Sequence, residues 1–489
     1  MTMTANIKSL AGTIKVSRLW SRLGTRFLPF ADAASTELPL SRILRLSLFQ
    51  ISVGMALVLL NGTLNRVMIV ELGAPAWLVA LMISLPVLFA PFRAVLGFKS
   101  DNHRSVLGWR RVPYIWLGTM LEFGGLAIMP FALILMSGDS TAPAWVGYAA
   151  SALSFLLVGA GLHTTQTAGL ALASDLAPPD TRHRIVALLY VILLLGMVVS
   201  SLAFGVLLAS FSQLRLIQVI QGAAALTMVL NIVALWKQEA RNPDLTTPAE
   251  VAPSFRAQWQ QIAAGGRARR LLVAVALGTA AFSMQDILLE PYGGEILHQS
   301  VGETTFLTAL LSLGTLCGFA FASRALDRQS DPVRLAAYGL LCGLPAFAAV
   351  IIAAPLQSVL LFRCGAVLIG LGGGLFTVCT LTIAMNDAAQ NSRGEANGLA
   401  LGAWGAVQAT AGGLAIAVSG FIRDAVGAAA VSGKLGAALA VPATGYGFVY
   451  QVEIVLIFAS LVAIGPLVRS AHPGTLAPTN TFGLAELPG

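Results

Sequence analysis

The sequence predicts an all-α integral membrane protein of twelve transmembrane helices arranged as two six-helix bundles. Three observations carry that prediction. Of 489 residues, 56% are hydrophobic and only 11% charged, and the mean hydropathy of +0.80 lies outside the range of water-soluble domains. The apolar residues fall in blocks long enough to cross ~30 Å of hydrocarbon at about 1.5 Å per helical residue. One long polar interruption divides those blocks six and six.

The first six spans are read as 45–71, 77–98, 113–137, 145–175, 185–211 and 214–236. The second six are 271–292, 305–326, 333–354, 358–387, 396–422 and 448–468. No period-two alternation is sustained, which argues against strands. The chain therefore divides into an N-terminal segment 1–44, a bundle 45–236, a central loop 237–270, a second bundle 271–468 and a tail 469–489.

Basic residues resist translocation and so fix orientation. With both termini cytoplasmic, only Arg215, Arg423 and Lys434 fall in outer loops, and Arg66, Arg93 and Arg363 lie inside helices. The remainder of the 30 Lys and Arg gather on the cytoplasmic side. The net charge of +8 is thus a topology signal, and no nucleic-acid partner is expected. Lys15, Arg18, Arg22 and Arg26 share one face of a possible N-terminal helix whose other face carries Val16, Trp20, Leu23 and Phe27. That pattern fits an interfacial helix on anionic lipid, or a basic tail. No apolar stretch precedes Arg45, so a signal peptide is not expected. Cys317, Cys342, Cys364 and Cys379 fall within spans without paired spacing, which argues against disulfides and a zinc site.

The two halves look like a duplication. ASDLAPPDTRHR around Asp175 and Arg182 parallels MNDAAQNSRGE around Asp387 and Arg393. Upstream, GAGLHT with Gly159 and Gly161 matches GGGLFT with Gly372 and Gly374. Six-plus-six repeats of this kind are a transporter architecture.

The loop GFKSDNHRSVLGWRR, with Gly97, Asp101, Gly108, Arg110 and Arg111, loosely follows the Gly, Asp, Gly-Arg-Arg signature of the major facilitator superfamily. It departs in Lys99 and in the extra residues before Gly108. Those departures, with LNGTLNRVMIVELG, HTTQTAGLALASDLAP and FLPFADAAS, resemble the PucC/LhaA family of photosynthetic bacteria from Phe27 to Val468. The resemblance implies the facilitator fold and a role in assembling light-harvesting complexes, with bacteriochlorophyll as the molecule handled. It further implies antenna polypeptides as partners, with the reaction-centre core complex and pigment-synthesis enzymes as others, and a bacterial inner or intracytoplasmic membrane as the location.

Charges at membrane depth are costly and usually mark a cavity or a partner. Glu122 lies mid-span, Asp286 and Glu290 share a face of the seventh helix, and Glu453 lies deep in the twelfth. They are either proton carriers or counter-ions for a substrate, or they pair with Arg66, Arg93 or Arg363. Asp175 with Arg182, and Asp387 with Arg393, are expected to brace helix ends. Asn61 and Asn65 share a face beside Arg66 and line a cavity or join helices.

His163, with Gln166 one turn on, supplies a neutral imidazole of the kind that ligates the Mg of a tetrapyrrole axially. Gly159 and Gly161 then leave room for the ring; the alternative is that all serve helix packing. In the motif alignment the place of His163 is taken by Phe376. The sequence holds no Walker loop, HExxH or CxxC, so neither catalysis nor ATP-driven transport is expected. The sequence thus supports an antenna assembly factor that binds bacteriochlorophyll or nascent antenna polypeptides, with a proton-coupled small-molecule transporter as the alternative.

Overall fold

A computed structural model describes residues 38–88, 109–137, 141, 143–178, 181–239, 266–391 and 397–469. The N-terminal segment with its expected interfacial helix, residues 89–108 with Arg93, Gly97, Asp101 and Gly108, residue Arg393, most of the central loop and the tail lie outside the described residues. So do the side chains of Arg182 and Asp387.

In the first half, α1 spans Leu40–Glu71 and α2 Ala76–Leu88, followed by α3 Val112–Met136, α4 Ala144–Leu176, α5 Arg182–Leu207 and α6 Gln213–Leu235. The second half holds α7 Gly266–Glu295, α8 Val301–Asp327, α9 Pro332–Leu356, α10 Val359–Asn391, α11 Asn397–Val431 and α12 Ala443–Arg469. Eleven of these are long and apolar enough to cross a membrane, and α2 is a shorter apolar helix that stops where the described residues stop. The protein is a multi-pass membrane protein.

Several boundaries differ from the sequence reading. α1 starts at Leu40 rather than Arg45, directly after Pro39, because a proline fixes an extended entry and suits the residue before a first turn. α7 starts at Gly266, so Arg267, Arg269 and Arg270 form its opening turns; long basic side chains reach the interface from such positions. α11 runs on to Val431 because DAVGAAAV offers four alanines and no proline. The residues from Val431 to Pro442, between α11 and α12, are all exposed.

Helix starts follow local chemistry. Ser300 and Glu303 form a capping box on α8, the Ser300 hydroxyl accepting from the Glu303 amide at 3.3 Å and the Glu303 carboxylate accepting from the Ser300 amide at 3.0 Å. Asp331 caps α9, with Pro332 at the first position.

Two helices break their regular winding. α1 passes into π-type turns over Val58–Leu64 and Val67–Glu71. α7, its counterpart in the second half, tightens to a 3-10 turn over Met284–Ile287. Such departures concentrate at functional places in helices, and here the two broken stretches pack on one another.

Glycines set the helix spacing and also give the register between the halves. Gly118 on α3 lies against the Gly161 carbonyl and the Thr165 backbone of α4; Gly339 on α9 lies against the Gly372 carbonyl and the Phe376 backbone of α10. Gly161 therefore corresponds to Gly372, and Thr165 to Phe376. This corrects the motif alignment by two residues: His163 stands opposite Gly374, and Glu122 opposite Gly343. Short sequence motifs slide past one another easily, whereas backbone contact through a missing side chain does not.

Aromatic rings run in a chain through the second half. Tyr446 and Tyr450 meet Tyr292 edge-on at 5.5 and 5.7 Å, Tyr450 stacks on Phe347 at 6.2 Å, and Phe282 joins Phe347 to Phe376 at 6.1 and 6.2 Å.

Candidate functional site

The polar residues singled out from the sequence divide among three places. The first is a seam between the halves. Thr63 of α1 meets Thr305 of α8, oxygen to oxygen, at 3.2 Å. Asn65 donates to the Asn61 carbonyl at 2.5 Å and to the Asp286 backbone carbonyl at 3.4 Å. Arg66 donates to the Gln299 carbonyl at 3.1 Å and its guanidinium forms an ion pair with Glu71. The π-type winding accounts for that pair, since it stacks residues five apart rather than four. Thr308 donates to the Glu290 carboxylate at 2.5 Å, and both side chains lie against Gly62, where a Cβ would come within 2.8 Å of the Thr308 hydroxyl oxygen. Beyond them, Asp424 of α11 accepts from the Trp77 amide of α2 at 2.9 Å. Among the described residues, these hydrogen bonds between the halves all lie toward the Glu71 end.

Asn65 and Arg66 thus join the halves by hydrogen bonds and Glu290 by packing on Gly62, whereas Asn61 takes part through its backbone carbonyl, which accepts from Asn65 of the same helix. Arg66 is close enough to act on Glu290 electrostatically, but its direct partner is Glu71, a residue the sequence reading passed over because it assumed α-helical spacing. Arg363 lies over the Phe306 ring at 5.8 Å and is close enough to Glu303 to act on it electrostatically. Near the seam, Arg423 pairs with Glu295 and Asp424, and its guanidinium lies 4.6 Å from the Tyr446 ring centroid.

The second place is the opposite end of the first half. Asp175 accepts from Arg110 at 2.7 Å and from Arg111 at 3.0 Å. Asp175 thus braces α4 against the start of α3 through the two arginines of the loop signature; its expected partner Arg182 has its side chain outside the described residues. Glu239, just past α6, accepts from the amides of Arg110 at 2.7 Å, Arg111 at 3.1 Å and Val112 at 2.9 Å. A carboxylate there satisfies amides that a helix start leaves open and meets its positive end. Arg42 closes the set by donating to Gln238 at 2.7 and 3.1 Å.

The third place is the interior of each half. In the second half a cavity of about 250 Å³ lies among α7, α8, α10 and α11. Phe282, Phe319 and Phe376 wall it, Gly370, Gly373 and Gly374 leave one side flat, and Gln285, Asp286 and Gln408 are its largest polar groups. Gln285 donates to Asp286 at 2.5 Å. Glu453 of α12 is fully buried and lies against the Gln285 backbone, close enough to Asp286 to act on it electrostatically.

In the first half the corresponding interior differs. His163 is half-buried and Gln166 buried, and the packing register sets them opposite Gly374 and Thr377, both of which line the cavity of the second half. Gly159 is filled by the Pro86 ring, and a Cβ on Gly161 would come within 2.7 Å of the Gly118 carbonyl oxygen and 2.8 Å of the Glu122 Cα. Those two glycines are spent on helix contact, so the room beside His163 does not come from them. Glu122 is fully buried, and neither oxygen has a hydrogen-bond partner among the described residues.

Twelve helices in two related halves, joined through broken first helices, make this a protein of the major facilitator fold. The structure superposes on a bacterial homologue of the human lysosomal transporter Spinster in its inward-facing, unoccupied conformation with a TM-score of 0.65, at 14% identity, covering 89% of this chain and 98% of that one. The likeness concerns the fold alone. Within it, the PUCC protein family matches residues 63–472, and the chain belongs to that family. Protein PucC of Rhodovulum sulfidophilum is 57% identical over 83% of this chain and 89% of its own length. A protein encoded in the puhA-bchM intergenic region of Rhodobacter capsulatus is 54% identical over 96% of this chain and 99% of its own.

Proposed function

We propose that this protein is an assembly factor for a bacterial light-harvesting antenna, handling bacteriochlorophyll within the membrane and contacting nascent antenna polypeptides. Membership of the PucC family over most of the chain carries the reading, together with the assembly role that the family resemblance implies. The site chemistry supports it at one point: His163 stands where its counterpart lines an interior cavity, with Gln166 one turn away. His163 would hold the pigment by ligating its Mg through the imidazole. The pigment supplies light absorption and the Mg; the protein supplies the ligand, apolar walls and exclusion of water. No catalytic step is assigned to the chain. Its place is the bacterial inner or intracytoplasmic membrane, with both termini in the cytoplasm.

The rival reading is a proton-coupled transporter using Glu122, Asp286 and Glu290. These three lie in separate settings, between α3 and α4, beside the cavity and at the seam, so no single carrier site gathers them. The protein purified in mild detergent from pigment-producing cells and examined in the near infrared tests the proposal. Bacteriochlorophyll at a fixed stoichiometry supports it. Absence of pigment together with substrate-dependent proton uptake supports the transporter.

A further inference from the structure

The cavity of the second half has a composition that neither helix packing nor a pigment ring requires. Its volume of about 250 Å³ is at the small end of ligand pockets and suits a compact molecule rather than a macrocycle. Asp286 is half-buried against it, and no Lys, Arg or His is among the residues that line it. Arg66 is already engaged by Glu71 and the Gln299 carbonyl. A second carboxyl, Glu453, is close enough to act on Asp286 electrostatically. Gln285 lines the cavity and donates to Asp286 at 2.5 Å. The polar end is therefore rich in acceptors and lacks a positive charge.

The walls narrow the chemistry further. The cavity presents the rings of Phe282, Phe319 and Phe376 beside the hydroxyls of Thr279, Ser283, Thr315 and Thr377. Aromatic faces together with a carboxylate are the combination that recognises organic ammonium groups through cation–π attraction. The flat strip of Gly370, Gly373 and Gly374 leaves space for an apolar body beside the charged head. We propose that this cavity is a binding site for a compact organic ammonium ion, its charge held by Asp286 and its body by the three phenyl rings. The site is separate from the His163 face and stands independently of the antenna reading.

The probe is radiolabelled benzyltrimethylammonium, measured by equilibrium dialysis against the full chain purified in mild detergent without pigment. Saturable binding is expected, displaced by benzyltriethylammonium but not by benzenesulfonate, an anion of similar shape. Asp286→Asn is expected to weaken binding at least tenfold. Gly373→Leu is expected to abolish it by filling the cavity. Gly373 is suited to this because the atoms nearest a Cβ there belong to the Phe282 side chain, at 3.4 Å and beyond, an ordinary van der Waals contact and not a backbone clash. Melting in the same detergent reports the fold of each variant, and if Asp286→Asn unfolds, Gly373→Leu decides. Absence of saturable binding to the unaltered chain overturns the proposal, as does binding undiminished in Gly373→Leu. Because no pigment is present, failure here and failure of the near-infrared test are separate results.

Discussion

Gly161→Ala distinguishes a glycine that makes room for a pigment from one that makes room for a helix. The added methyl would sit 2.7 Å from the Gly118 carbonyl oxygen and 2.8 Å from the Glu122 Cα. Both are backbone atoms, so α3 and α4 must move apart. Overpacking of this kind costs ~2 kcal/mol, about a thirtyfold shift in the ratio of folded to unfolded chain. Gly124, on the same α3, supplies the control: a Cβ there meets nothing within 4 Å, and Gly124→Ala is expected to be neutral or to stabilise by up to ~1 kcal/mol through helix propensity. The assay is thermal melting of the two variants beside the unaltered protein in one detergent. Gly161→Ala is expected to melt several degrees lower, whatever the pigment content. A variant that melts normally but loses bound pigment would refute the packing argument and return Gly161 to the ligand site.

His163→Phe is expected to insert and melt normally but to lose bacteriochlorophyll and antenna assembly, with His163→Gln intermediate; undiminished pigment absorbance in the Phe variant removes His163 from the site. Glu239→Ala takes the carboxylate from three amides at the start of α3 and is expected to cost ~2 kcal/mol, read as a lower melting temperature, with Glu239→Gln retaining part of the effect. Reporter fusions after Val251 and Ala477 are expected to register as cytoplasmic and one near Gly433 as outside; a cytoplasmic signal at Gly433 breaks the twelve-helix topology.

The fold was legible because membrane helices announce themselves by length and apolarity, and a chain of twelve with one polar break has few architectures open to it. The site was legible only in part. Asp286, Glu290, Asn65 and Arg66 stood out as polar groups at depth, and the structure brings them to the seam and the cavity beside it. Glu71 did not stand out, because only the π-type turn of α1 carries it beneath Arg66. Glu239 was hidden by its position at the start of a polar loop, where an acid has no pattern around it; its role depends on where α3 begins in space. Phe376 was assigned opposite His163 from a short glycine motif, and the contacts of Gly118 and Gly339 moved it by two residues. Side-chain identity repeats loosely between copies, while the points of helix contact repeat closely.

The exposed turn between α11 and α12 makes this chain divisible. Lys434 is the sole Lys or Arg between Asp424 and Val468, and every residue around it from Val431 to Pro442 is exposed, the setting in which proteases nick folded proteins. Trypsin reaching that side of a sealed vesicle would therefore release α12 from the rest of the chain by a single cut. The fragment would stay in place, because the Ser460 hydroxyl donates to the Ala274 carbonyl at 2.9 Å and Tyr450 and Tyr446 remain wedged against Tyr292. The same geometry permits the last helix to be made as a separate polypeptide and to find its seat from within the bilayer.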